Sequence, residues 1–326
     1  MLQVKSEPIP HWPGRFVELP RRQLYARSAP EPGIGEPALF IHGLGGASTN
    51  WTDLMDLLSR PSDARPSAPV LDCSAIDLPG FGFSPPAADG DYSISAHASA
   101  VVEYIEHLGI WPVHLIGNSM GGAVGTRVAA RRPDLVRTLT LVSPAMPDLR
   151  PRPLPIRLAM ASTPGIGTAI MDWARRIPAE ERADRSIEET FADPAMMHPL
   201  RRTEEIAEVR RRDELPYATS ALVLSARSMV AEYFKAGSKS LWHDAERTVA
   251  PTLILHGSAD RLVNPVMAAK AARAFPRARV LVLPGVGHVA MMEQPAKVAR
   301  EIRGFLELVP PGLASPGPVA GVGARS

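Results

Sequence analysis

The chain has a single cysteine, Cys73, among 326 residues. One thiol cannot form an intramolecular disulfide, nor can it build a cysteine-based zinc site. We therefore expect Cys73 to be an inert residue inside a strand. Lysine is also scarce, at five of 36 basic residues, and 34 acidic residues bring the formal net charge to +2. This balance gives no strong cationic field, which argues against nucleic acid as a partner.

Long apolar runs are missing as well. No stretch reaches the roughly 18 consecutive apolar residues that a membrane-spanning helix needs. Residues 1–15 are interrupted by Lys5, Glu7 and three prolines, so they lack the apolar core of a signal peptide. We therefore expect no transmembrane segment, no signal peptide and a cytoplasmic location. Residues 309–326 consist mostly of Pro, Gly, Ala, Ser and Val, a composition that predicts a disordered tail.

Short apolar runs bounded by Gly or Pro alternate along the chain with segments of helical spacing. This alternation is typical of a parallel sheet flanked by helices, and it predicts the α/β class. The predicted strands are 16–19, 23–27, 38–42, 70–77, 113–117, 135–143, 252–256 and 279–283. The predicted helices are 95–108, 121–130, 266–275 and 295–308.

The alternation stops after Ser143, and residues 147–247 show helical spacing without a convincing strand. We predict a helical insertion there. Its many arginines are typical of solvated helix faces, and one of them holding a substrate carboxylate is the alternative. Its methionines either fill gaps in a core or line an adaptable apolar pocket. They are Met160, Met171, Met196, Met197 and Met229.

The strongest chemical signal is the sequence GNSMG at 117–121, which follows a predicted strand and precedes a predicted helix. The pattern G-x-S-x-G in this context predicts a sharp strand-to-helix turn that exposes the serine hydroxyl. Gly117 and Gly121 allow that turn, because side chains at those positions would clash. Ser119 is therefore the candidate nucleophile.

A serine nucleophile needs a base and an orienting acid, and in open α/β sheets these follow in the order Asp, then His. Asp260 follows the predicted strand 252–256, and His288 follows the strand 279–283. Both positions are loops at carboxyl ends of strands, where ligands bind in such sheets. Asp148, after the strand that ends at Ser143, is the alternative acid. We favour Asp260.

A second glycine-rich segment, HGLGG at 42–46, follows the strand 38–42. It supplies a second donor for an oxyanion, so that Leu44 N–H would act together with Met120 N–H. With DLPGFGFS at 77–84 added to these segments, the chain resembles the α/β-hydrolase fold superfamily, in its serine-nucleophile branch. The resemblance covers residues from about 14 to 309 and implies that Ser84 is not the nucleophile.

The resemblance implies a mostly parallel eight-stranded sheet flanked by helices, with a helical cap inserted after the sixth strand. It implies a hydrolase core at 1–146 and 248–308, a cap at 147–247 and a tail at 309–326. It also implies acyl transfer through Ser119, Asp260 and His288, with no metal and no cofactor. Gly43 and Asn118 are expected to contact the substrate, and a homodimer is an open alternative.

We expect a carboxylesterase that acts on small to medium apolar esters. The first alternative is a carbon–carbon bond hydrolase of the meta-cleavage-product type, because the segment NSMGG at 118–122 is similar to that group's elbow. The usual Trp after the catalytic His is replaced by Val289, which argues against it. Other acyl transfer, including perhydrolase chemistry, is a second alternative. A hydrolase-like protein that only binds a ligand is the third.

Overall fold

A computed structural model describes residues 8–30, 35–148, 170 and 173–309 of the protein. Its centre is an eight-stranded sheet with the strand order β1-β2-β4-β3-β5-β6-β7-β8. Strand β2 is antiparallel to both of its neighbours, and the remaining pairs are parallel. The strands are β1 Gly14–Glu18, β2 Gln23–Ser28, β3 Glu36–Ile41, β4 Leu71–Ile76, β5 Val113–Asn118, β6 Val136–Val142, β7 Thr252–Gly257 and β8 Ala278–Leu283. The predicted fold class and all eight predicted strands are confirmed.

The central strands are largely buried. Every residue of β5 and of β7 is buried, as expected for apolar runs covered by helices on both faces. Because β3, β5, β7 and β8 run parallel, the loops that follow them meet at one edge of the sheet. That edge is where open α/β sheets place their sites.

Ten α-helices are found in the described part of the chain, and the four predicted ones correspond to α2, α3, α8 and α10. The helices are α1 Thr52–Leu58, α2 Ile94–Leu108, α3 Met120–Arg131, α4 Ala179–Thr190, α5 Pro199–Glu214, α6 Ala218–Glu232, α7 Leu241–Arg247, α8 Met267–Ala274, α9 Ala290–Glu293 and α10 Pro295–Leu306. Helices α1 and α9 were not predicted, because two turns or fewer show little periodicity. Within these residues, no helix is long and apolar enough to cross a membrane.

The described residues between β6 and β7 form helices α4 to α7 and no strand. Helix α7 packs into the main core, where Leu241 and Ala245 join residues of α3 such as Val124. The last helix of the predicted cap therefore lies against the sheet domain, and the cap boundaries at 147 and 247 stay a prediction. Met160, Met171 and residues 310–326 of the predicted tail lie outside the described residues.

A buried ion network fastens the helical segment, which consists of helices α4 to α7, to α3. Helix α3 directly follows the strand-to-helix turn at Ser119, which we call the elbow. Arg127 of α3 donates from both Nη atoms to Glu232, at 2.8 and 3.0 Å, and from Nε to Asp244 at 2.9 Å. Arg127 is 1% exposed, and its charge is compensated by two carboxylates, as a buried charge requires. The network joins α3 to the end of α6 and to α7.

Candidate active site

Ser119 sits at the turn between β5 and α3 in a conformation that side chains rarely adopt. Its φ is 53° and its ψ is −116°. A Cβ on Gly117 would lie 2.4 Å from the carbonyl oxygen of Gly121, and a Cβ on Gly121 would lie 2.2 Å from that of Ile41. Both positions therefore require glycine. This is the strained strand-to-helix turn predicted from GNSMG.

Asp260 and His288 come together although 28 residues separate them. His288 Nδ1 is 2.9 Å from Asp260 Oδ2, and both side chains are buried. The other carboxylate oxygen accepts backbone N–H groups from Leu262 at 2.8 Å and Val263 at 2.9 Å. Burial alone would raise the pKa of Asp260, but the charge and hydrogen bond of His288 and the two backbone donors outweigh it and lower the pKa. An ionised Asp260 can hold the imidazole in one orientation.

The glycine-rich segment at 42–46 forms a tight turn against the elbow. Gly46 N–H donates to the carbonyl oxygen of Gly43 at 3.1 Å, and Gly45 has a φ of 73°. A Cβ on Gly43 would lie 3.1 Å from Ser119 Cβ, so the turn and the elbow are in close contact. Within the described residues, neither Leu44 N–H nor Met120 N–H donates to a protein acceptor. Their expected role as oxyanion donors stays a prediction.

A cavity of about 520 Å³ opens over this edge of the sheet. Ser119, His288, Gly43, Leu44 and Asn118 line it, so it brings together five of the seven predicted site residues. Asp260 and Met120 are fully buried behind the wall. Asp148 also lines the cavity, but the carboxylate that accepts the hydrogen bond of His288 Nδ1 is that of Asp260.

Apolar side chains from the core and from the helical segment make up much of the cavity wall. They include Met146, Ile187, Met197, Leu222, Met229 and Met292. Two of the methionines singled out in the sequence, Met197 and Met229, are among them. Ligand sites in proteins are commonly of this size and are mostly apolar with a few placed polar groups.

A comparison with known protein families shows to which family the chain belongs. The family described as alpha/beta hydrolase fold matches residues 37–295 of the chain. The chain belongs to the α/β-hydrolase family. The resemblance inferred from the motifs is thereby confirmed.

Individual relatives of this α/β hydrolase are distant. It is 29% identical to the dihydrolipoyllysine-residue acetyltransferase component of an acetoin cleaving system from Pseudomonas putida, over 83% of this chain and 64% of the relative. It therefore spans less than two thirds of that relative. It is 26% identical to 2-hydroxymuconate semialdehyde hydrolase from Pseudomonas putida, over 86% of this chain and 91% of the relative. It is 25% identical to Lipase 3 of a Moraxella species, over 83% of this chain and 77% of the relative. The family, together with the hydrolase and the lipase among these relatives, shows that the chain is an enzyme of the hydrolase class.

Asn118 of this α/β hydrolase has a structural contact that the sequence did not reveal. Its Nδ2 donates to the carbonyl oxygens of Val142 at 3.0 Å and His288 at 3.2 Å. Both hydrogens of the amide are therefore used within the protein. Asn118 holds the loop of His288 against the sheet, and its expected contact with substrate stays a prediction.

Glu293 was also missed by sequence reasoning. Its side chain is buried, and it accepts backbone N–H groups from Gly287 at 2.7 Å and from Ala192 and Asp193 at 3.2 Å. The N–H of His288 donates to the carbonyl oxygen of Thr190 at 2.7 Å. The loop of His288 is thus fastened to the end of α4. No sequence pattern marks these bonds, since their partners are backbone groups and all but Gly287 are about 100 residues away.

His256 lies at the end of β7, close to the same pair. It is 1% exposed, and within the described residues neither ring nitrogen has a hydrogen-bond partner. Burial lowers the pKa of His256 to about 4, so the ring is neutral at physiological pH. A neutral ring adds no charge beside Asp260 and His288.

Proposed function

We propose that this α/β hydrolase is a serine carboxylesterase that cleaves small to medium apolar esters through an acyl-enzyme on Ser119. The observation that carries the proposal is that Ser119 and His288 line the same cavity. There Ser119 stands on a strained turn, and His288 is held by a carboxylate 2.9 Å away. An activated nucleophile needs this arrangement of serine, base and orienting acid.

The chemistry follows from the positions of these groups. Ser119 Oγ attacks the ester carbonyl carbon while His288 Nε2 takes the hydroxyl proton. The carbonyl oxygen becomes an oxyanion that accepts hydrogen bonds from Leu44 N–H and Met120 N–H. His288 then gives its proton to the leaving alcohol as the bond between carbonyl carbon and alkoxy oxygen breaks. A water attacks the acyl-enzyme by the same steps and releases the acid.

The cavity supports the substrate class. A volume of about 520 Å³ fits an ester of small or medium size, and methionine and leucine side chains on its wall suit an apolar acyl chain. The likeness to a lipase of 25% identity is in line with ester chemistry.

Hydrolysis of p-nitrophenyl esters from acetyl to dodecanoyl tests the proposal. Wild type is compared with Ser119→Ala, and Ser186→Ala is the matched control because Ser186 lines the same cavity. We expect a chain-length optimum in wild type and in the control, and loss of activity in Ser119→Ala. Equal activity in Ser119→Ala and wild type would refute the mechanism.

A carbon–carbon bond hydrolase is the second candidate. It is favoured by the relationship to 2-hydroxymuconate semialdehyde hydrolase, 91% of which is covered. The same serine, histidine and aspartate would serve it, with a carbon leaving group in place of the alkoxide. A chromogenic dienoate distinguishes the two functions, because faster consumption of the dienoate than of any ester would favour this reaction.

A further inference from the structure

One side chain of the helical segment reaches the turn at 42–46 from outside the sheet domain. Arg212, near the end of α5, donates from Nη1 to the carbonyl oxygen of Gly45 at 2.7 Å. Within the described residues this is the one hydrogen bond of its guanidinium. The nearest carboxylate oxygens, on Glu205 and Glu208, are 3.7 and 3.9 Å away, beyond hydrogen-bond distance.

The hydrogen bond from Arg212 restrains the peptide group between Gly45 and Gly46, which could otherwise rotate. Gly45 has a φ of 73°, and neither Gly45 nor Gly46 has a side chain to restrict the peptide between them. On one side, the N–H of this peptide donates to the carbonyl oxygen of Gly43. On the other side, its carbonyl oxygen accepts from Arg212. Rotation of the peptide would break both hydrogen bonds and open the turn that presents Leu44 N–H.

Neighbouring arginines of α5 do not make this contact. Arg211 donates to the carbonyl oxygen of Gly82 and lies over the ring of Phe83, at 4.5 Å from its centre. Arg210 is exposed and pairs with Glu180 of α4. Of the three consecutive arginines, Arg212 is thus the one that contacts the turn beside Ser119.

We propose that Arg212 is a positioning residue through which the helical segment holds the oxyanion turn in its active form. The proposal rests on the proposed function, since it assumes that Leu44 N–H stabilises the oxyanion. Without the guanidinium, the peptide at 45–46 rotates and Leu44 N–H loses its direction toward Ser119. The side chain then acts on the transition state through the turn, and substrate binding is left nearly unchanged.

Arg212→Gln tests this, with Arg210→Gln as the matched control on the same helix. With the best ester of the series, we expect kcat of Arg212→Gln to fall about 10- to 100-fold while KM changes little. Removing one oxyanion donor costs roughly 10²–10³ in kcat, and a misplaced donor costs less. Arg212→Lys, which keeps one donor for Gly45, should recover most of the loss, and Arg210→Gln should match wild type.

Arg212 also lines the cavity, so inhibitor binding is needed to separate positioning of the turn from direct contact with the substrate. A trifluoromethyl ketone forms an oxyanion adduct with the serine, whereas the matching alcohol binds without one. Affinity for the ketone should fall in Arg212→Gln by the same factor as kcat/KM, and affinity for the alcohol should stay within about twofold. A kcat equal to that of Arg210→Gln, or an equal loss for ketone and alcohol, would overturn the proposal.

One further measurement and one further variant distinguish failure of this proposal from failure of the proposed function. The rate at which a fluorophosphonate labels Ser119 also depends on an oxyanion, so Arg212→Gln should be labelled more slowly than Arg210→Gln even if no ester is a substrate. Absence of any Ser119-dependent turnover or labelling in wild type would refute the proposed function instead. If Arg212→Gln melts below the assay temperature, Arg212→Met replaces it in the same comparisons.

Discussion

Asp260→Asn is the substitution with the clearest consequence. Asp260 Oδ1 accepts two backbone N–H groups, and Oδ2 faces His288 Nδ1 at 2.9 Å. In the asparagine variant the amide oxygen must stay with the backbone donors, so the NH₂ group points at His288. A donor at that position forces Nδ1 to act as acceptor and places the imidazole proton on Nε2. The ring can then no longer take the proton of Ser119.

The size of the effect follows from this change of tautomer. In a triad of this kind, the wrong tautomer costs about 10⁴ in kcat. We expect a loss of about 10³–10⁴, or about 4–5.5 kcal/mol in the activation barrier at 1.36 kcal/mol per factor of ten. The shape of the side chain is preserved, so KM should change little and the variant should remain folded.

Initial rates on the best p-nitrophenyl ester, with folding checked by circular dichroism, give the answer. Asp148→Asn is the control, because Asp148 lines the cavity and is the other candidate acid. Its kcat should stay within about threefold of wild type. The reasoning is refuted if Asp260→Asn keeps more than about a tenth of the activity, or if Asp148→Asn is equally impaired.

Three further substitutions test the surroundings of the site. Glu293→Gln should lower kcat, and it should lower the unfolding free energy by about 1–3 kcal/mol, because the Gln NH₂ group faces backbone donors. Urea unfolding measures the loss, and the control Glu301→Gln should show none. His256 has a folded-state pKa of about 4 against 6.5 for the free side chain, so the unfolded chain binds its proton first as the pH falls. Wild type should therefore lose about 1.5 kcal/mol more than His256→Leu between pH 6.5 and 5, and parallel pH profiles in urea unfolding would contradict this. Arg127→Met should cost about 3–5 kcal/mol, because it leaves Asp244 buried without a counter-charge and Glu232 with Lys235 alone, and an unchanged melting temperature would exclude such a role.

Local patterns in the sequence were enough to predict most of the sheet. Six of the eight strands were found because each is a short apolar run between turn signals, which is typical of a strand buried on both faces. The elbow was predicted from the glycines that flank Ser119 between a strand and a helix. In the structure, Gly117 and Gly121 meet backbone atoms at distances that exclude a side chain, which is why the pattern needs glycine there. Helices α1 and α9 were missed because seven and four residues give too little periodicity.

The sequence by itself determined the strands, the elbow and the candidates for nucleophile, acid and base, since each of these is marked by residues close together in the chain. Tertiary structure decided which carboxylate meets His288, because Asp148 and Asp260 both follow strands and only folding brings Asp260 Oδ2 to 2.9 Å from the ring. It also decided that Asn118 and Glu293 contact the loop of His288 and that Arg212 contacts the turn at 42–46. Their partners are backbone groups, and every residue of a sequence offers these alike until the chain folds.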